Sequence, residues 1–144
     1  LVTCCDTSFL FALYGNDSLS GRAVECASSL DDSISLSSFN LFEYGNALRL
    51  AQYRKLMKAG ERQDYWALFE AALSAGRLVH QETNLADVLV EARLLSEVHT
   101  PSGGHRGFDI LHVAAAKHLH ADTFLTFDQQ QCKLSRAVGM KVPL

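Results

Sequence analysis

The chain reads as an α/β protein built around a short parallel sheet. Two observations predict this. Short apolar runs suited to buried strands alternate with segments whose apolar residues recur at helical spacing. Where helices separate the strands, the connections are right-handed crossovers between parallel neighbours. A third observation is size: 144 residues, 48% of them hydrophobic and 20% charged, fit one domain over 1–144 with a real core.

The elements follow in order. Val2–Asp6 is a strand and Thr7–Tyr14 a short helix. Leu19, Ala23, Cys26, Ala27 and Leu30 share one face of a second helix. Ser33–Leu36 alternates polar and apolar, a short strand. A long helix runs from about Ser38 to Ala59, with Ser37 or Ser38 as N-cap. Tyr65, Leu68, Phe69, Ala72 and Leu73 mark the next helix. Leu78 and Val79 form a strand, and Leu85, Val88, Leu89, Ala92 and Leu95 mark another helix. The loose segment is Thr100 to Gly107. Phe108–Leu119 is helical, Thr123–Phe127 a strand, Gln129–Val138 a helix, and Lys141–Val142 a last short strand. Gly15, Gly60, Gly76 and Gly139 each follow a helical pattern, where a left-handed residue is wanted.

Composition narrows the function. The formal charge of −3 argues against a simple basic coat for nucleic acid. No apolar run approaches a membrane span, and the N-terminus lacks a basic region before its apolar stretch. Cys4, Cys5, Cys26 and Cys132 form no C-x-x-C pair, and adjacent Cys4 and Cys5 point to opposite faces of a strand. Small buried thiols in a reducing, cytoplasmic compartment are expected.

Four acids are oddly placed. Asp6 and Asp128 close apolar strands, where a parallel sheet collects its ligands. Glu43 shares a helical face with Phe39, Ala47 and Leu50; Asp109 shares one with Val113 and Ala116. Singly, each has a structural explanation: Asp128 or Asp109 could cap the helix it begins. Glu43 resists that reading, because Glu is a poor cap. Two like charges 4 Å apart repel by about 4 kcal/mol at an effective dielectric of 20, so a converged set needs a counter-ion. Carboxylate oxygens select Mg²⁺ or Mn²⁺ over zinc, and a water held near a phosphate is then a nucleophile. That is phosphodiesterase chemistry, and it reconciles a polyanionic substrate with an acidic chain.

The stretches "CCDTSFLFAL", "SLSSFNLFEYGNAL", "GFDILHVAAAKH" and "TFLTFDQQQCKLSRAVGMKV" resemble the four acidic motifs of PIN-domain ribonucleases, in order from Val2 to Val142. They look most like the VapC-type toxins of bacterial toxin–antitoxin pairs. The resemblance implies a PIN-like α/β/α sandwich. It implies Asp6, Glu43, Asp109 and Asp128 as catalytic, metal-binding acids, with Mg²⁺ or Mn²⁺ as cofactor and single-stranded RNA as substrate. It also implies a homodimer and a cognate antitoxin partner. Thr7 and Thr126 match small hydroxyl positions bordering the pocket.

His112, three residues after Asp109 on the same helical side, could bond an acid or touch substrate. Arg106 could bind a phosphate or hold a carboxylate. Arg49, Arg54, Lys55 and Lys58 read as a solvated face or an RNA guide; Phe39, Phe42 and Tyr44 read as packing residues or base-stacking ones. Two other functions compete: a binding module on the same fold whose acids do no catalysis, and a phospho-acceptor domain on a doubly wound sheet. The second wants paired acids after the first strand and a late Lys at a strand end; only Asp6 is there, and Lys133 falls in a helix.

Overall fold

A computed structural model describes residues 1–144. The elements are β1 (Thr3–Cys5), α1 (Thr7–Tyr14), α2 (Ser20–Ser28), β2 (Ile34–Leu36), α3 (Ser38–Tyr53), α4 (Glu61–Ser74), β3 (Leu78–His80), α5 (Leu85–Gly103), α6 (Gly107–His118), β4 (Thr123–Leu125) and α7 (Gln129–Ala137). The four strands form one sheet in the order β3-β2-β1-β4, with every pairing parallel. From β1 the chain moves outward through β2 and β3, then crosses back to place β4 on the other side of β1. The order therefore reverses between β1 and β4, and the crevice beyond their carboxyl ends is the switch point of the sheet.

Side chains alternate across the strands, so adjacent residues feed two separate cores. Cys5, Leu36, Leu78 and Leu125 pack with Phe9, Leu10, Tyr44, Leu48 and Phe69 from α1, α3 and α4. Cys4 and Phe124 pack on the opposite face with Val88, Leu95, Val113 and Leu134 from α5, α6 and α7. This is the α/β/α arrangement expected. Cys4 and Cys5 part as anticipated; all four cysteines are free, and burial pushes the Cys4 thiol up to about 12.

Several boundaries differ from expectation. The long helix stops at Tyr53 rather than Ala59. Lys55 adopts φ 58°, and the Leu56 N–H reaches back to the Ala51 carbonyl, closing the helix without glycine. Gly60 is left-handed (φ 85°), but as the N-cap of α4. Gly15 is extended rather than left-handed. The segment Thr100–Gly103 continues α5 despite Pro101, and the helix ends at left-handed Gly104. The Thr123 strand ends at Leu125, and Lys141 adds a single parallel bridge to Thr123 rather than a strand. On α4 and α5, Leu68, Leu85 and Leu89 are exposed, because the buried faces centre on Phe69–Ala72 and on Val88, Ala92 and Leu95.

Phe69 ties α4 to the sheet layer: its ring lies 4.9 Å from Tyr44 and 5.1 Å from Trp66 and is fully buried. Truncating it opens a cavity that helices on a four-stranded sheet cannot easily collapse. Phe69→Ala is expected to lower unfolding stability by about 3–5 kcal/mol in urea titrations. A loss under about 1 kcal/mol would mean that this aromatic trio is not part of the core.

Candidate active site

Asp6 follows β1 and caps α1. It is 4% exposed, and its position is over-determined. Oδ1 accepts from Ser8 Oγ at 2.7 Å and from the Phe9 N–H at 3.2 Å; Oδ2 accepts from Thr126 Oγ1 at 2.6 Å. Thr126 follows β4, and its hydroxyl also accepts the Asp128 N–H at 3.0 Å. Ser8 accepts the Phe127 N–H at 3.1 Å. Two short hydroxyl side chains thus stitch the ends of β1 and β4 together at the switch point. Asp128 in turn caps α7, its Oδ1 accepting from the N–H groups of Gln130 and Gln131.

Glu43 approaches from α3, which follows β2. Its Oε1 accepts from Thr7 Oγ1, next to Asp6, and from His112 Nε2 at 2.9 Å. His112 is 2% exposed, so its ring serves the acid and does not face solvent. Behind it stands Asn40. The Asn40 Oδ1 accepts from the Ser37 N–H at 2.8 Å, completing a capping box at the start of α3. The Asn40 Nδ2 donates to the Cys5 carbonyl at 2.9 Å and lies 3.4 Å from His112 Nδ1. One amide therefore locks β1, α3 and α6 in register. Asp109 sits one helical turn before His112, paired through Oδ2 with Arg106 Nε at 3.2 Å; the Arg106 side chain is 80% exposed.

Asp6 and Glu43 have opposite electrostatics. Burial pushes the Asp6 carboxyl above the usual range, and the bonds from Thr126, Ser8 and Phe9 and the proximity of His112 offset only part of that cost. Burial would also raise Glu43, but the bonds from His112 and Thr7 and the charges of His112 and Arg106 outweigh it and hold Glu43 below the usual range.

The four acids, Thr7, Thr126, Arg106 and His112 all lie along this edge. Asp6 is joined to Asp128 through Thr126, and Glu43 to Asp6's neighbour Thr7 and, through His112, to the helix of Asp109. Ser8 and Asn40 were not anticipated. Their signals were present: Ser8 lies two residues after a strand-end Asp, and Asn40 is the third residue after the Ser37 cap. As arranged, no three acid, histidine or cysteine side chains come together as a group that could hold a metal ion. Mg²⁺ does not require so many. It keeps several waters and takes one or two carboxylates directly. The other oxygen of Glu43, Asp109 and Asp128 makes no hydrogen bond within the chain. The donor set fits a hard, hydrated divalent cation on that basis.

A four-stranded parallel sheet with acids along the edge at its switch point narrows the fold, and comparison sharpens it. Residues 3–137 match the PIN domain, and the chain belongs to that family. No curated protein matches its sequence. Among solved structures it is similar to VapC20 of Mycobacterium tuberculosis, described as a Sarcin-Ricin loop cleaving toxin (TM-score 0.71, 19% identity, 96% of each chain covered). It is also similar to VapBC2 of Rickettsia felis bound to a DNA fragment from its promoter (0.66, 16%, 99% of this chain and 97% of that one). FitAcB of Neisseria gonorrhoeae is a third (0.61, 18%, 98% and 96%).

The electrostatics give a stability prediction. A native pKa raised above the unfolded one means that the folded state holds more protons, so Asp6 costs stability as pH rises through that window. Glu43 acts oppositely: its contribution is present above the unfolded pKa and is lost as pH falls through the lowered one. Asn can keep the cap and both hydroxyl partners without the charge. Asp6→Asn should therefore raise the Tm in EDTA at pH 7 and flatten the decline above the ordinary Asp range. A variant less stable than wild type in EDTA at pH 7 would contradict this account.

Proposed function

We propose that the chain is a metal-dependent endoribonuclease, the toxin of a VapBC-type toxin–antitoxin pair, working in the cytoplasm as one PIN domain over 1–144. The observation that carries this reading is the linked set of Asp6, Glu43, Asp109 and Asp128, contributed by four different elements to one edge of a PIN-family sheet. The toxin role rests on the VapC-type motifs and on the likeness to VapC20 and VapBC2.

In this reading the four acids hold Mg²⁺ or Mn²⁺, which would offset their mutual repulsion and supply Lewis-acid chemistry at a phosphodiester. The remaining steps belong to the chain. Glu43 is held as an anion by His112, Thr7 and Arg106, which suits it to holding the cation rather than to acting as a strong base. His112 and Thr7 aim it, His112 acting as a positioning residue from behind. Ser8 and Thr126 hold Asp6 at the floor of the site. Arg106 is exposed beside Asp109 and can take a non-bridging phosphate oxygen. The water oxygen attacks phosphorus in line as the bond to the leaving oxygen breaks; the water gives up a proton and the leaving oxygen takes one, both exchanged with solvent.

The partners follow the same reasoning. Val90, Leu94 and Val98 recur at i, i+4 along α5 and are all exposed, a stripe suited to a second copy of the chain. Tyr53, the last residue of α3, and Leu56 beyond it leave further apolar surface for an antitoxin segment. No helix is long and apolar enough to cross a membrane. A dimer by light scattering, converted to monomer by Leu94→Glu, is the expected result; a monomeric wild type would remove the homodimer from the proposal.

Asp6→Asn and Asp109→Asn should each lower cleavage of single-stranded RNA by about a hundredfold or more with circular dichroism unchanged. EDTA should abolish wild-type cleavage and Mg²⁺ or Mn²⁺ restore it. Full activity in EDTA, or in either variant, would overturn the site assignment.

A further inference from the structure

Two phenylalanines stand immediately before two of the acids: Phe42 before Glu43 and Phe108 before Asp109. They come from different helices, yet their rings stack at 5.9 Å with an interplanar angle of 27°. Phe108 is held from two further sides. Phe39 meets it edge-on at 6.3 Å, and the His112 ring, which bonds Glu43, lies at 6.2 Å. Phe42 remains 62% exposed and Phe108 38% exposed. A core aromatic would not be left this open, and a ring held this rigidly loses little entropy when something stacks on it.

We propose that Phe42, backed by Phe108, is a stacking platform for one base of a single-stranded RNA, setting which nucleotide lies at the acids. This rests on the nuclease reading above and adds a substrate-positioning element to it. Three features favour a nucleobase over a protein side chain. The platform is continuous with the acid edge through His112 and Glu43. Arg106 offers a cation for the adjoining phosphate, the charge that a polyanion needs beside four acids. The rings pack offset and leave much of the Phe42 ring exposed as a π-surface, which suits any base and gives binding without strict sequence readout. A duplex could not reach it, since its bases are already stacked within the helix.

The test separates this platform from the chemistry. Binding is measured by fluorescence anisotropy on the Asp6→Asn protein with Mg²⁺, using a labelled mixed-sequence RNA oligonucleotide and a series in which one nucleotide at a time is abasic. Phe42→Leu keeps the apolar bulk and removes the π-face. It should weaken RNA binding about tenfold, and Phe42→Trp should restore it. One abasic position should weaken binding to the Phe42 protein and have no effect on the Phe42→Leu protein. Equal affinity of the Phe42 and Phe42→Leu proteins for the intact RNA overturns the platform. So does a Phe42→Leu protein that binds normally but changes oligomeric state, which would make the patch a subunit contact. If the wild type cuts no RNA while the abasic position still reports on Phe42, the nuclease reading fails and the platform stands.

Discussion

The arrangement depends on one buried carboxylate. Asp6 terminates the central strand in a place that water hardly reaches, where an ionised acid is expensive. The chain answers with four groups: two hydroxyls, one backbone N–H and, at longer range, a histidine. Those partners do more than compensate Asp6. Thr126 comes from the end of β4 and Ser8 from the first turn of α1, so satisfying the carboxylate also closes the seam between β1 and β4. The sheet order that creates the crevice and the hydrogen bonds that fill it are the same construction.

Asn40 performs the equivalent task on the other flank. Its amide is fully engaged: Oδ1 at the α3 cap, Nδ2 on the β1 carbonyl and beside the His112 ring. Because His112 Nε2 then meets Glu43, the orientation of the acid is set three residues deep, from strand to amide to imidazole to carboxylate. A site assembled from separate elements needs such backing, since a loose side chain would stand too far from its task to act.

The fold was legible in the sequence because its signals are local. Strand runs, the Ser37 cap and the helical faces of α2 and α6 depend on residues a few positions apart. The errors arose where a local signal had a competitor. Pro101 and the glycines around it read as loop, yet α5 carries enough packing through Leu95 and its neighbours to hold the helix to Gly103. Gly60 read as the end of one helix but begins the next, because Lys55 had already taken the left-handed turn. The acids were visible as charges on apolar faces. The groups that hold them were not: a serine and an asparagine are ordinary cap residues in sequence, and their value here comes from contacts with residues 35 to 119 positions away.

The contrast between Asp6 and Glu43 bears on the proposed cation. Glu43 is already stabilised as an anion by groups of the chain, whereas Asp6 is not, despite four partners. A neutral partner donates a hydrogen bond but brings no net charge, so it lowers the cost of ionisation without removing it. His112 and Arg106 supply their charge mainly to Glu43 and Asp109. The chain thus leaves an electrostatic deficit at the floor of the crevice while the outer acids retain unbonded oxygens above it. A more complete set of internal counter-charges would have made a more stable protein; in the proposed nuclease, a divalent ion would fill that deficit instead.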